Sequence, residues 1–121
     1  MALTLSHDHG DTFRLAVTGV LRKADLDQVQ DLLLREMQRI GSATAKLLVV
    51  LQGFEGWESN SSWNDLSFYF AHGDALARIA IVGEERWRSE ALMFAAADLR
   101  RGPVEFFVPS ELAKAQAWLT G

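Results

Sequence analysis

The chain has no cysteine among its 121 residues, so neither a disulfide framework nor thiolate chemistry is open to it. It has no excess of basic residues either: 12 Lys and Arg stand against 16 Asp and Glu, a net charge of −4. A nucleic-acid binder needs a basic patch to neutralise phosphates, and the arginines do not gather into one. Arg86 and Arg88 flank Trp87, and Arg100 and Arg101 precede a turn; cations there suit helix ends and solvated faces. We therefore expect no nucleic-acid partner. No apolar run approaches the ~20 residues that span a bilayer. The opening MALTLSHDHGD lacks the basic segment and long apolar core of a signal peptide. The expectation is a cytoplasmic protein with no integral membrane segment. Repeats, linkers and low-complexity segments are also missing, which leaves one domain over residues 1–121.

What is present is ordinary for a globular chain: 49% apolar and 23% charged residues. Leu3 and Leu5 alternate with Thr4 and Ser6, and Phe13, Leu15 and Val17 with Arg14, Ala16 and Thr18. Period two predicts two half-exposed strands, joined as an antiparallel hairpin by His7-Asp8-His9-Gly10-Asp11. Imidazole and carboxylate suit borderline divalent ions. A bound metal also needs neighbours that fix its ligands, and a hairpin tip near a terminus is mobile. We assign no metal and no cofactor.

Gly19 is expected to end the second strand. From Ala24, apolar residues recur at Leu26, Val29, Leu33, Met37 and Ile40, one helical stripe that Gly41 is placed to stop. Residues 47–51 are apolar at every position, the pattern of a strand buried on both faces. Each face needs a cover: a helix, a ligand or, if left bare, a second copy in a homodimer. Ser59, Ser61 and Ser62 then lead into a helix carrying Trp63, Leu66 and Phe70, which Gly73 closes. A third core strand over residues 78–82, a helix from about Trp87 to Leu99, an edge strand over residues 103–108 and a closing helix capped by Ser110 complete the chain. The reading is an α/β fold, ββαβαβαβα, in which the hairpin leads into a mostly parallel sheet of four to five strands with four helices.

Ligands of open α/β sheets favour the crevice outside the carboxyl ends of the strands. Two turns are expected there, Gly53-Phe54-Glu55-Gly56-Trp57-Glu58 and Gly83-Glu84-Glu85-Arg86-Trp87. Phe54, Trp57, Glu58, Trp63 and Trp87 are the candidate ligand-binding residues, able to line an apolar cleft with a few polar groups. The competing reading is that these aromatics cap the core. Gly53-Phe54-Glu55-Gly56 has neither the spacing of a dinucleotide fingerprint nor the Lys of a P-loop. There is no Gly-x-Ser-x-Gly elbow. His72 lies roughly a dozen ångströms from Ser59 along one helix at about 1.5 Å per residue, too far to serve as its base. Glu55 and Glu58 in a solvent-facing turn have no environment to split their pKa values for acid–base work. No catalytic residue is assigned.

The residues so placed resemble the SpoIIAA-like family, whose fold is related to STAS domains. The resemblance rests on five segments in order: Thr18-Gly19-x-Leu21; Phe54-Glu55-Gly56-Trp57-Glu58; Trp63-Asn64-Asp65-Leu66; Arg78-Ile79-Ala80-Ile81-Val82-Gly83 with Trp87; and Ala115-x-Ala117-Trp118-Leu119. It implies a βα superhelix similar also to the lipid-carrier CRAL-TRIO domains, in a family whose members generally have no assigned enzymatic activity. With the aromatic turns and the fully apolar central strand, the expectation is a non-enzymatic module that binds a small apolar or amphipathic ligand or a protein partner around Trp57, Trp63 and Trp87. STAS proteins resembling anti-sigma-factor antagonists carry Asp-apolar-Ser-Gly after the central strand and a phosphorylatable Ser further on. Val50-Leu51-Gln52-Gly53 and Glu58-Ser59 stand at those places, which makes Ser59 the candidate phosphorylation site of a partner switch. Val50 and Glu58 depart from the acids of that pattern, and no Gly follows Ser59.

Overall fold

The alternation at the start of the chain forms the hairpin it predicts. The computed structural model describes residues 3–58, 75–94 and 102–120, and in it β1 (Leu3–His9) pairs antiparallel with β2 (Thr12–Leu21). The turn is tighter than expected, because His7, Asp8 and His9 belong to β1 and only Gly10 and Asp11 reverse the chain. The His7 imidazole donates from Nε2 to the Gly10 carbonyl at 2.6 Å, which ties the end of the strand to the turn.

From β2 onward every pairing is parallel. β3 (Ala45–Trp57), β4 (Leu76–Val82) and β5 (Val104–Phe107) follow in the order β1-β2-β3-β4-β5. β3 is thus central, and β5, with Glu105 exposed, is at an edge, both as expected. α1 (Lys23–Ile40) joins β2 to β3 and ends where the amides of Gly41 and Ser42 turn back to the carbonyls of Gln38 and Met37. Between β4 and β5 lie a 3-10 turn (Glu85–Trp87) and α2 (Arg88–Phe94), so Trp87 precedes the helix it was expected to begin. A second 3-10 turn (Pro109–Glu111) leads into α3 (Leu112–Thr120). Ser110 sits inside that turn rather than capping it. Glu111 does the capping, its carboxylate accepting the Val108 amide at 3.2 Å. The described residues thus carry three α-helices. The helix expected over Trp63, Leu66 and Phe70, with Ser59, lies outside them.

Both faces of β3 are covered from within the chain. Leu47 and Phe54 join Phe13, Leu15, Ile79 and Phe106 in a cluster closed by Val29, Leu33 and Met37 of α1. Leu48 and Val50 point the other way, to Ala80, Val82 and Phe107 under Ala115 and Leu119 of α3. The run of apolar residues therefore needs no second copy to bury it. No described helix is long and apolar enough to cross a membrane.

Arg78 secures the end of α3. Its Nη1 donates to the Trp118 carbonyl at 2.6 Å, and its guanidinium lies 5.4 Å from the centre of the Trp118 ring. This satisfies one of the last helical carbonyls with a cation at the negative end of the helix dipole. Arg78→Met, which keeps the aliphatic stem, is expected to cost about 1–2 kcal/mol. A urea titration reads this as a lower midpoint with unchanged slope.

Candidate functional site

The stretch expected to be a turn after the central strand is strand. β3 runs on through Gly53-Phe54-Glu55-Gly56 to Trp57, and β2 runs past Gly19 to Leu21 beside it, with Gly19 opposite Phe54, Val20 opposite Gly56 and Leu21 opposite Trp57. The register slips around Gly19, and Gly19, Gly53 and Gly56 take φ of +65°, +58° and +110°. Left-handed glycines in both strands let the pair bulge and keep its ladder where other residues would break it. Two of the five segments that carry the family resemblance are therefore neighbours in the sheet.

The bulge re-aims the side chains. Phe54, 3% exposed, points into the core. Trp57 and Trp87 are half-buried around it. The ring centres are 4.9 Å apart for Phe54 and Trp57, 5.0 Å for Phe54 and Trp87, and 5.8 Å for Trp57 and Trp87, all edge-to-face, a favoured geometry for aromatic quadrupoles. Gly56 is packed against the Trp87 ring: a Cβ there would be 3.5 Å from it. The structure thus brings together three of the five expected ligand-binding residues. Phe54 is their support rather than a contact surface. Trp63 lies outside the described residues.

Two features of this cluster were not visible in the sequence. The Trp87 Nε1 atom is buried and has no hydrogen-bond partner among the described residues. The Arg86 guanidinium lies 4.8 Å from the centre of the Trp87 ring and reaches Glu84 at 3.4 Å.

Glu58 has a structural task. Its Oε1 accepts the Lys23 amide at 2.8 Å, and its own amide donates to the Leu21 carbonyl at 2.9 Å. Lys23 opens α1, whose N-cap residue Arg22 offers no side-chain bond of its own. The carboxylate thus meets a free amide at the positive end of the helix, across 35 positions of sequence. Glu58→Ala is expected to cost about 1 kcal/mol, as for loss of a helix cap, and Glu58→Gln, which keeps an acceptor, less; thermal unfolding compares them. Glu55 is exposed, beside Gly19.

Arg88 ties the Trp87 turn to the sheet. It donates two bonds of 2.8 Å to Glu85 and one of 3.4 Å to the Phe106 carbonyl, with its guanidinium 4.9 Å from the Phe106 ring centre. The Arg88 hydrogen bonds hold the Glu85 carboxyl below its ordinary pKa. A folded pKa below the unfolded one means the pair stabilises the fold above the ordinary carboxylate range and ceases to as pH falls through the folded value. Unfolding of wild type and Glu85→Gln, followed from neutral pH into acid, should therefore show a small gap that closes on acidification.

The sequence model of the SpoIIAA-like family matches residues 12–120. Among solved structures, an uncharacterised protein with a SpoIIAA-like fold from Shewanella loihica superposes with a TM-score of 0.71 at 24% identity, over 98% of this chain and 92% of that one. At that identity the likeness speaks for the fold. The search of curated proteins found no match. With the hairpin, the parallel order of the remaining strands and the family match over nearly the whole length, the chain belongs to the SpoIIAA-like family and has its STAS-like fold.

Proposed function

We propose that this chain is a non-enzymatic binding module, and that Trp57 and Trp87 take a small apolar or amphipathic molecule, or an apolar segment of a protein partner, at the carboxyl end of the central strands. The observation that carries this is the Trp87 indole: half-buried on the aromatic cluster, with its N–H enclosed and unpaired. Leaving a buried donor unpaired costs about 1–3 kcal/mol, and such groups in folded proteins ask for an explanation. A bound acceptor supplies one. The aromatic faces give the apolar contact such a ligand needs, and the exposed Arg86 side chain above the ring can swing aside to admit it. The Lys23 amide already occupies Glu58, which speaks against Glu58 as a ligand contact or as half of a catalytic carboxylate pair. Native mass spectrometry of the purified protein, with solvent extraction of whatever it carries, tests the reading. A co-purifying small molecule lost in Trp57→Ala supports it. A bare protein whose tryptophan emission is unchanged by fatty acids removes the small-ligand half.

A second reading is a partner switch controlled by phosphorylation at Ser59. What supports it is the resemblance to anti-sigma-factor antagonists, in which Glu58-Ser59 stands at the place of their acid and phosphorylatable serine. Ser59→Asp would then alter binding to the partner. Absence of the modification in protein from its native host, with partner binding unaltered by Ser59→Asp, would remove this reading.

A further inference from the structure

A recess lies on the opposite sheet face, at the amino ends of the parallel strands and away from Trp57 and Trp87. It has a volume of about 290 Å³ and lies between the hairpin tip (Asp8, His9), Thr12 and Leu48 of the sheet, and the last turn of α3 (Leu119, Thr120). Leu48 and Leu119, each 1% exposed, give it an apolar floor. Its size is near the lower end of the ~300–1,000 Å³ usual for small-molecule pockets.

The charges beside it are unbalanced. Thr12 pairs with Lys46, and Arg14 with Leu48, on adjacent strands. Phe13, Leu15 and Leu47 face the α1 side, so alternation places Thr12, Arg14, Lys46 and Leu48 on the same face as the recess. Thr12 and Leu48 line it; Arg14 and Lys46 are the other diagonal of the same four-residue block. Both are half-buried, and among the described residues neither side chain makes an ion pair or hydrogen bond. Among the described residues the other half-buried arginines are engaged, Arg78 with the Trp118 carbonyl and Arg88 with Glu85. Arg22 and Arg35, also without ion pairs, are exposed to water. Two unpaired cations on one block repel each other, and among the described residues no carboxylate pairs with either. Asp8, the carboxylate in the lining, faces His9 instead, at 3.3 Å.

We propose that this recess binds a small organic anion, its carboxylate or phosphate head against Arg14 and Lys46 and its apolar body on Leu48 and Leu119. The test is a titration of the isotope-labelled full chain with inorganic phosphate and, separately, with hexanoate, following backbone amides by NMR. The double variant Arg14→Gln, Lys46→Gln runs beside it, and its fold is checked by its own spectrum and thermal unfolding. The proposal expects saturable shifts confined to the hairpin tip, residues 12–14 and 46–48, and residues 116–120, weakened by added sodium chloride. It expects a dissociation constant at least about tenfold higher in the double variant, from loss of two charged contacts. A response to phosphate places the requirement in the head alone, and a response only to hexanoate places it in head and body together; either supports the site. Shifts that do not saturate, that fall elsewhere, or that persist at equal affinity in the double variant overturn it. Trp57 and Trp87 lie at the other strand ends, so this outcome and that of the aromatic surface are read independently.

Discussion

Replacing Gly102 by alanine should cost the fold about 3 kcal/mol, the upper part of the range for overpacking a rigid site. A Cβ at this position would lie 2.4 Å from the Ala77 carbonyl oxygen, 2.9 Å from that of Leu76 and 3.0 Å from the Ala77 carbonyl carbon. These are backbone atoms at the start of β4, and the side-chain rotations that usually relieve a tight contact are not available to them. The remaining response is to push the β5 entry away from β4. That strains the hydrogen bond from the Ile79 amide to the Pro103 carbonyl, 3.1 Å long, and with it the first pairing of β5, Ile79 with Val104. For a domain of this size the thermal midpoint should fall by roughly 10 °C. An alanine variant as stable as wild type would show that the β4–β5 approach is looser than described.

Phe54→Ala should cost about 3–5 kcal/mol, as for other buried aromatics cut to alanine. Phe54 is the residue both tryptophans touch edge-on, so the truncation removes its own burial and two aromatic contacts together. The loss is expected to be larger than for Trp57→Ala, because Trp57 is half-exposed and surrenders less buried area. Phe54→Leu, keeping much of the volume, should cost about half as much. Near-ultraviolet circular dichroism follows the same change, since the fixed edge-to-face geometry of Trp57 and Trp87 loses its pivot. If Phe54→Ala unfolds at the wild-type denaturant concentration, the aromatic cluster is not part of the core.

Much of this architecture follows from local pattern. The 3.6-residue stripe through Val29, Leu33 and Met37 has one consistent explanation, a helix facing a core. The unbroken run at residues 47–51 likewise belongs to a strand covered on both sides, and the exposed Glu105 to an edge. The bulged end of β3 was not legible. Gly53-Phe54-Glu55-Gly56 reads as a turn because glycine weakens strands; only the matching slip at Gly19 on the neighbouring strand keeps the ladder intact, and no window along β3 contains that information. The same holds for contacts that close over long separations. Glu58 meets Lys23 across 35 positions and Arg78 meets Trp118 across 40, so a glutamate that looked like part of a ligand wall turns out to cap a helix. The aromatic composition of the site was visible in the sequence, while the division of labour within it, Phe54 beneath and the tryptophans around it, depended on the bulge.

The binding role assigned to the tryptophan cluster is tested most directly at the Trp87 indole. Its Nε1–H resonance in the isotope-labelled protein can be followed during titration with a medium-chain fatty acid, with Trp87→Phe fixing the assignment. An acceptor arriving at the unpaired N–H should move that resonance downfield in a saturable way and shift the Trp57 indole with it. Indole resonances that stay in place throughout, in protein from which no small molecule or partner can be extracted, would contradict the account.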